Sequence, residues 1–118
     1  VIISLSESGA AIVDQIQDQI RGLITTGILP AEQRLPSVRQ LASDLGVAPG
    51  TVAKAYRSLE GEGLLVTRVG SGTRVSATAS ATSRDVVAAA TQLTQISKRE
   101  GIELEEVIRV LRAIWQDQ

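Results

Sequence analysis

The side chains of this 118-residue chain that could do chemistry are its cations, and their chemistry is anion binding rather than bond making. It contains no histidine and no cysteine, which removes imidazole and thiolate as bases, nucleophiles or metal ligands and rules out disulfides. No serine, carboxylate or lysine stands in a pattern that pairs a nucleophile with a base, so neither an enzyme nor a cofactor is expected. A formal net charge of −1 speaks against a polyanionic partner only until the chain is divided. Residues 1–33 carry Arg21 against four acidic side chains. Residues 34–75 carry Arg34, Arg39, Lys54, Arg57, Arg68 and Arg74 against three, and residues 76–118 carry five cations against six acids. The positive charge is local, and its location makes nucleic acid the partner to consider.

Those cations need elements to hold them. "LPSVRQLASDLGVAPGTVAKAYRSL" (35–59) reads as two short helices broken at "LGV". Ser37 is a natural N-cap for the first, with Val38, Leu41, Ala42 and Leu45 as its inner stripe and Gly46 as its stop. Ala48-Pro49 opens the second, since proline suits a first helical turn. Its inner face is Val52, Ala55, Tyr56 and Leu59, and Gly61 and Gly63 mark its end. Tyr56 is expected in the core with its hydroxyl at the edge.

Upstream, "VIISLS" is β-branched enough for an edge strand. "AAIVDQIQDQIRGLITTG" spaces Ile12, Val13, Ile16, Ile20, Leu23 and Ile24 as one helical face, with Gly27 as the stop and "ILPAEQR" as a loop. Downstream, "LLVTRVGSGTRVS" has two β-rich runs around Gly-Ser-Gly, a hairpin signal, and "ATASAT" is the natural linker. Ser83 can cap a fourth helix striped by Val86, Val87, Ala90, Leu93 and Ile96. After Gly101 a fifth carries Leu104, Val107, Ile108, Leu111, Ile114 and Trp115, with Trp115 expected to pack at the helix end. With 43% hydrophobic residues and no phenylalanine, the core must be aliphatic.

Helix, helix, tight turn, helix and hairpin is the order of a winged helix-turn-helix. Such a protein buries one face of its recognition helix and shows the other to the major groove. With Val52 inward, Gly50, Lys54 and Arg57 point away at about 100° per residue, and Thr51 flanks them. Gly50 permits close approach, Thr51 can reach a phosphate or a base edge, and Lys54 and Arg57 supply charge toward phosphates. A Gly-Ser-Gly loop between Arg68 and Arg74 suits a wing lying along a minor groove.

"LPSVRQLASDLGVAPGTVAKAYRSLEGEGLLVTRVGSGTRVS" resembles the DNA-binding domain of the GntR family of bacterial transcription repressors, and "IVDQIQDQIRGLITTGIL" before it resembles that family's first helix. The short two-helix tail and the proline of "APGTVAKAY" resemble the YtrA-type subfamily. The resemblance implies that Arg39 reaches a guanine edge, that Ser37, Thr51 and Lys54 contact phosphates or face the groove, and that Gly70 with Ser71 forms the wing tip. Ala48 and Pro49 stand where many members carry a hydroxyl or amide residue followed by arginine, so one direct base reader is missing.

The expected protein is mainly α with a small β-hairpin: a winged helix-turn-helix (1–76), a linker (77–82) and a two-helix dimerisation or effector region (83–118). The expected DNA-binding set is Arg34, Ser37, Arg39, Pro49, Gly50, Thr51, Lys54, Arg57, Arg68, Gly70 and Ser71, carried by recognition helix 49–62 and wing 66–76. The expected dimer contacts are Val87, Leu93, Ile96, Leu104, Ile108, Leu111 and Trp115. The function expected is that of a cytoplasmic, homodimeric, sequence-specific repressor on an inverted-repeat operator. Its partners are double-stranded DNA and a second copy, with a small-molecule effector of unknown identity left open and no membrane. The alternative is a winged helix used for protein contacts.

Overall fold

Seven elements follow one another in the chain: α1 (Ile12–Thr25), α2 (Val38–Leu45), α3 (Pro49–Gly61), β1 (Leu65–Arg68), β2 (Gly72–Val75), α4 (Arg84–Arg99) and α5 (Leu104–Gln116). They come from a computed structural model that describes residues 3–6, 9, 11–79 and 82–117. The chain divides into two units, Val1–Thr82 and Ser83–Gln118.

In the first unit, α3 lies at the centre, packed against α1 on one side and α2 on the other. Ile16, Ile20 and Ile24 recur at i, i+4 and i+8, so one stripe of α1 is lost to solvent. It meets Val52, Ala55, Tyr56 and Leu59 of α3 and Leu41 and Ala42 of α2, with Leu29, Leu35, Leu65 and Val75 closing the cluster. The core is aliphatic apart from Tyr56, as a chain without phenylalanine requires. Val38 and Leu45, expected on the inner stripe of α2, are half-buried at the edge of this cluster.

Residues 3–6 are not a strand, and Val1 and Ile2 of the expected segment lie outside the described residues. Ile3 still enters the core, because α1 substitutes for a neighbouring strand. The Gln19 amide accepts from Ser4 N–H at 2.9 Å and donates to Ser4 C=O at 2.7 Å. The Gln15 amide does the same for Ser6, at 2.8 and 3.0 Å. A side-chain amide carries the same donor and acceptor as a peptide group. Four residues of helix rise about 6.0 Å, and two residues of extended chain about 6.6 Å. That near match lets glutamines one turn apart satisfy alternate residues of the segment.

The hairpin pairs Leu65 with Val75 and Arg68 with Gly72 in antiparallel register. Leu65, Thr73 and Val75 face inward, while Val66, Arg68 and Arg74 are exposed. The preceding "ILPAEQR" is the expected loop. Arg34 bridges to Arg74, flanked by Leu35 N–H donating to Thr73 C=O and Val75 N–H donating to Gln33 C=O, both at 2.9 Å. This ties the loop to the sheet by one isolated bridge, without making it a strand. The stretch expected as linker is partly tied down: Ala79 packs on the core, and Thr82 N–H donates to Thr25 C=O at 2.7 Å.

In the second unit, Ser83 caps α4 by accepting from Asp85 N–H at 3.2 Å. Ile102 N–H donates to Ser97 C=O at 2.8 Å in the turn that follows. Only Ser97 is buried among the described residues of this unit. Val87, Leu93, Ile96, Val107 and Ile108 are half-buried, and Leu111 is exposed. Leu104 is 68% and Trp115 83% exposed. The expectation that Trp115 packs at a helix end is therefore not met within one chain, where the indole, one residue from the end of α5, stays in solvent. Among the described residues, no helix is long and apolar enough to cross a membrane.

Candidate nucleic-acid interface

The turn between α2 and α3 is built from two helix ends. Ser37 accepts from Gln40 N–H at 3.1 Å and so caps α2, leaving the hydroxyl proton free to donate outward. Gly46 ends α2 in the left-handed region, φ +70°. That conformation lets Val47 N–H reach back to Ala42 C=O at 3.0 Å. Only two residues then separate Gly46 from Pro49, so α3 starts at once and its N-terminal end is exposed. Pro49, Gly50, Lys54 and Arg57 are exposed there and Thr51 is half-exposed, while Val52, Ala55 and Leu59 are fully buried. This division of faces is the one a groove-reading helix needs.

Tyr56 locks the two helices together. Its ring is 2% exposed, and its hydroxyl donates to Pro36 C=O at 2.8 Å, the residue just before the Ser37 cap. Burial pushes the phenol up to about 12, because a phenolate there would lose its hydration. A second tie joins α1 to the end of α3. Arg21 donates through Nε and Nη2 to the two oxygens of Glu62 at 3.1 and 2.7 Å, and through Nη1 to Asp18 at 2.6 Å. Hydrogen bonding to Arg21 holds the Glu62 carboxyl below its usual range, and the same bond raises the Arg21 guanidinium.

Charge is distributed unevenly around these ties. Among the described residues of the first unit, the ion pairs are those of Arg21. Among the described residues, Arg34, Arg39, Lys54, Arg57, Arg68 and Arg74 have no carboxylate within 4.0 Å. The acids of the same stretch are engaged elsewhere: Glu62 by Arg21, Asp44 by Gln40 at 2.8 Å, and Glu60 by the Thr67 hydroxyl. The six cations are thus exposed and unneutralised. Among the described residues no cluster of carboxylates could hold a metal ion.

The expected site residues fall into two groups. Ser37, Arg39, Pro49, Gly50, Thr51, Lys54 and Arg57 belong to α2 and α3, and Arg68, Gly70 and Ser71 to the hairpin. Arg34 joins the second group, because its guanidinium lies 3.4 Å from where a Gly72 Cβ would sit. At the tip, Ser71 N–H donates to Arg68 C=O at 3.1 Å, and Gly70 takes φ +85°. Val69 at that corner is fully exposed. Arg74 was legible only as a flank of the loop. Its pairing with Arg34 needs the isolated bridge to β2, which nothing in "ILPAEQR" announces.

The profile for bacterial regulatory proteins of the gntR family matches residues 12–75, which are α1 to β2. The chain belongs to the GntR family. The GntR match ends where the first unit's hairpin ends, and similarity to particular members runs further. The chain is 36% identical over 115 residues to the HTH-type transcriptional repressor YtrA of Bacillus subtilis, covering 93% of this chain and 88% of that protein. It is also similar to a solved structure of YtrA from Sulfolobus acidocaldarius, a GntR-family transcription factor. That match has 38% identity and a TM-score of 0.61, and covers 82% of this chain and all of the other. The DNA-binding domain of AraR, solved in complex with operator ORX1, matches 64% of this chain and 92% of its own at 30% identity and a TM-score of 0.55. This is a winged-helix transcription regulator of a DNA-binding family, and not an enzyme.

Proposed function

We propose that this GntR protein is a homodimeric repressor that reads an inverted-repeat operator, with α3 in the major groove and the hairpin as its wing. The observation that carries the reading is the set of six cations on residues 34–75 without an ion-pair partner among the described residues, in a stretch whose acids Asp44, Glu60 and Glu62 are engaged elsewhere. Lys54 and Arg57 then hold phosphates, Arg39 reads a guanine edge, Thr51 and Ser37 donate hydrogen bonds, and Pro49 and Gly50 let the helix end approach closely. Repression as the mode of action is supported by the similarity to the B. subtilis repressor.

The second unit supplies the dimer. Two helices that leave Leu104, Leu111, Ile114 and Trp115 exposed bury them against the same face of a second copy, a two-fold arrangement. Val87, Leu93, Ile96 and Ile108 line the rest of that contact. A small-molecule effector would sit between protomers and act through unequal affinity for two arrangements of the reading heads.

Selection of bound duplexes from a random pool tests the reading. It should return inverted half-sites about 34 Å apart, one helical turn. Enrichment of a single half-site, or of no sequence, would overturn it. Sedimentation of Trp115→Glu tests the dimer: the variant should become monomeric at concentrations where the parent is not.

A further inference from the structure

Like charges directly opposite on neighbouring strands destabilise a sheet, yet this sheet sets two arginines in that relation. The bonds flanking the Arg34–Arg74 bridge, Leu35 N–H to Thr73 C=O and Val75 N–H to Gln33 C=O, make it a non-hydrogen-bonded pair. In such pairs the side chains stand closest. A third arginine completes the set. Arg68 lies opposite Gly72 in the register, and Gly72 is two residues from Arg74. Arg34 Nε and Nη2 lie 3.4 Å from where a Gly72 Cβ would be.

Gly72 therefore lies against the Arg34 guanidinium, opposite Arg68 and two residues from Arg74, and its φ of +77° disfavours any residue with a side chain. Gly72 also lines a depression of about 360 Å³ with Glu32, Val66, Arg68, Ser71 and Arg74, and Arg34 lies outside that lining, against Gly72. Arg74 Nη1 donates to Glu32 C=O at 3.3 Å, which steadies one side. Glu32 is the acid facing the depression, and no ion pair within 4.0 Å joins it to any of the three arginines.

We infer that Arg34, Arg68 and Arg74 form a cradle on the outer face of the wing that grips one phosphodiester of the DNA backbone at the rim of the minor groove. The inference rests on the DNA reading above and adds Arg74 and Gly72 to the interface. Distance along the strand selects this occupant. Arg74 is three residues from Ser71 at the tip, about 10 Å along the chain. The minor groove is about 7.5 Å deep. A tip that touches the groove floor thus leaves Arg74 just outside the groove, where its long side chain meets the phosphates that edge it. A bound phosphate also removes the repulsion that the free sheet carries.

The test uses the duplex recovered by selection and the full-length Arg74→Gln variant. The variant should prefer the same sequence, bind it more weakly, and show a salt slope smaller by up to about 1.8, one phosphate contact weakened in each half-site. Neutral methylphosphonate placed at each linkage in turn should weaken the parent at one minor-groove linkage per half-site and weaken Arg74→Gln less there, because only Arg34 and Arg68 then hold it. The free variant should melt no lower than the parent, because a like-charge pair is gone; a purely structural arginine would lower it. An unchanged slope and an unchanged linkage profile on a tightly bound duplex would overturn the cradle alone. Failure of the parent to select any duplex would overturn the DNA reading and the cradle together. If inorganic pyrophosphate raised the melting point of the parent but not of Arg74→Gln, with duplex binding unchanged, the cradle would be a small-anion site and the DNA assignment wrong.

Discussion

Tyr56→Phe should reverse its effect on stability as pH rises. The hydroxyl donates to Pro36 C=O at 2.8 Å, and a bond of this kind contributes about 1 kcal/mol net. Pro36 is half-exposed, so water can reach the carbonyl that the variant leaves behind, and the cost stays near that figure. Burial pushes the phenol up to about 12 in the folded chain, from its ordinary 10.0. Between those values the native state holds a proton that the unfolded chain has lost. Stability is thus fully present below pH 10 and falls as pH rises toward 12. The loss is about 1.4 kcal/mol near pH 11 and approaches about 2.7 kcal/mol at the limit. Phenylalanine does not titrate, so the variant should be the weaker protein at neutral pH and the stronger above about pH 10.7.

Urea unfolding followed by circular dichroism at a series of pH values measures this. Trp115 fluorescence would not, since that residue belongs to the other unit. The chain has a single tyrosine, so ultraviolet difference absorbance reads its ionisation directly. A phenolate appearing near its ordinary value, or unfolding curves that stay parallel from neutral to alkaline pH, would refute the argument.

Glu32→Gly should raise the melting point, worth about 0.5–1 kcal/mol. Glu32 sits at φ +68° in the turn closed by Gln33 N–H to Pro30 C=O at 3.1 Å; a lower melting point would mean that its side chain stabilises the turn. Leu59→Ala should cost about 2–5 kcal/mol, because Leu59 is fully buried. By contrast Trp115→Ala, at 83% exposure, should leave the monomer's stability within about 0.5 kcal/mol; denaturant titration compares the two. Arg39→Ala should cost about 1–3 kcal/mol of binding and relax preference at one base pair per half-site. Lys54→Ala should instead weaken all duplexes alike and flatten the salt slope, as binding titrations over several salt concentrations would show.

Local rules made most of the first unit legible. Isoleucines four apart on α1, the Ser37 cap, the Gly46 stop, proline in the first turn of α3 and Gly-Ser-Gly at a hairpin each act over a few residues. Their outcome therefore depends little on the rest of the chain. The inward set of α3 and the outward Gly50, Lys54 and Arg57 follow from helical periodicity alone. Long-range pairing was not legible. Whether "VIISLS" forms a strand depends on what lies beside it, and the glutamines of α1 met its backbone where no sheet edge was available. "ILPAEQR" is the loop its composition suggests, but its bonds to the free edge of β2, which place Arg34 against Arg74, were not legible. The partner of the Tyr56 hydroxyl and the exposure of Trp115 belong to the same class. By itself the sequence determined the elements, their caps and their faces, because these are set by backbone geometry and side-chain type within a turn or two. Only the tertiary structure decided which polar groups meet and which charges stay unpaired, because hydrogen bonds and Coulomb interactions between distant segments depend on positions that no local pattern encodes.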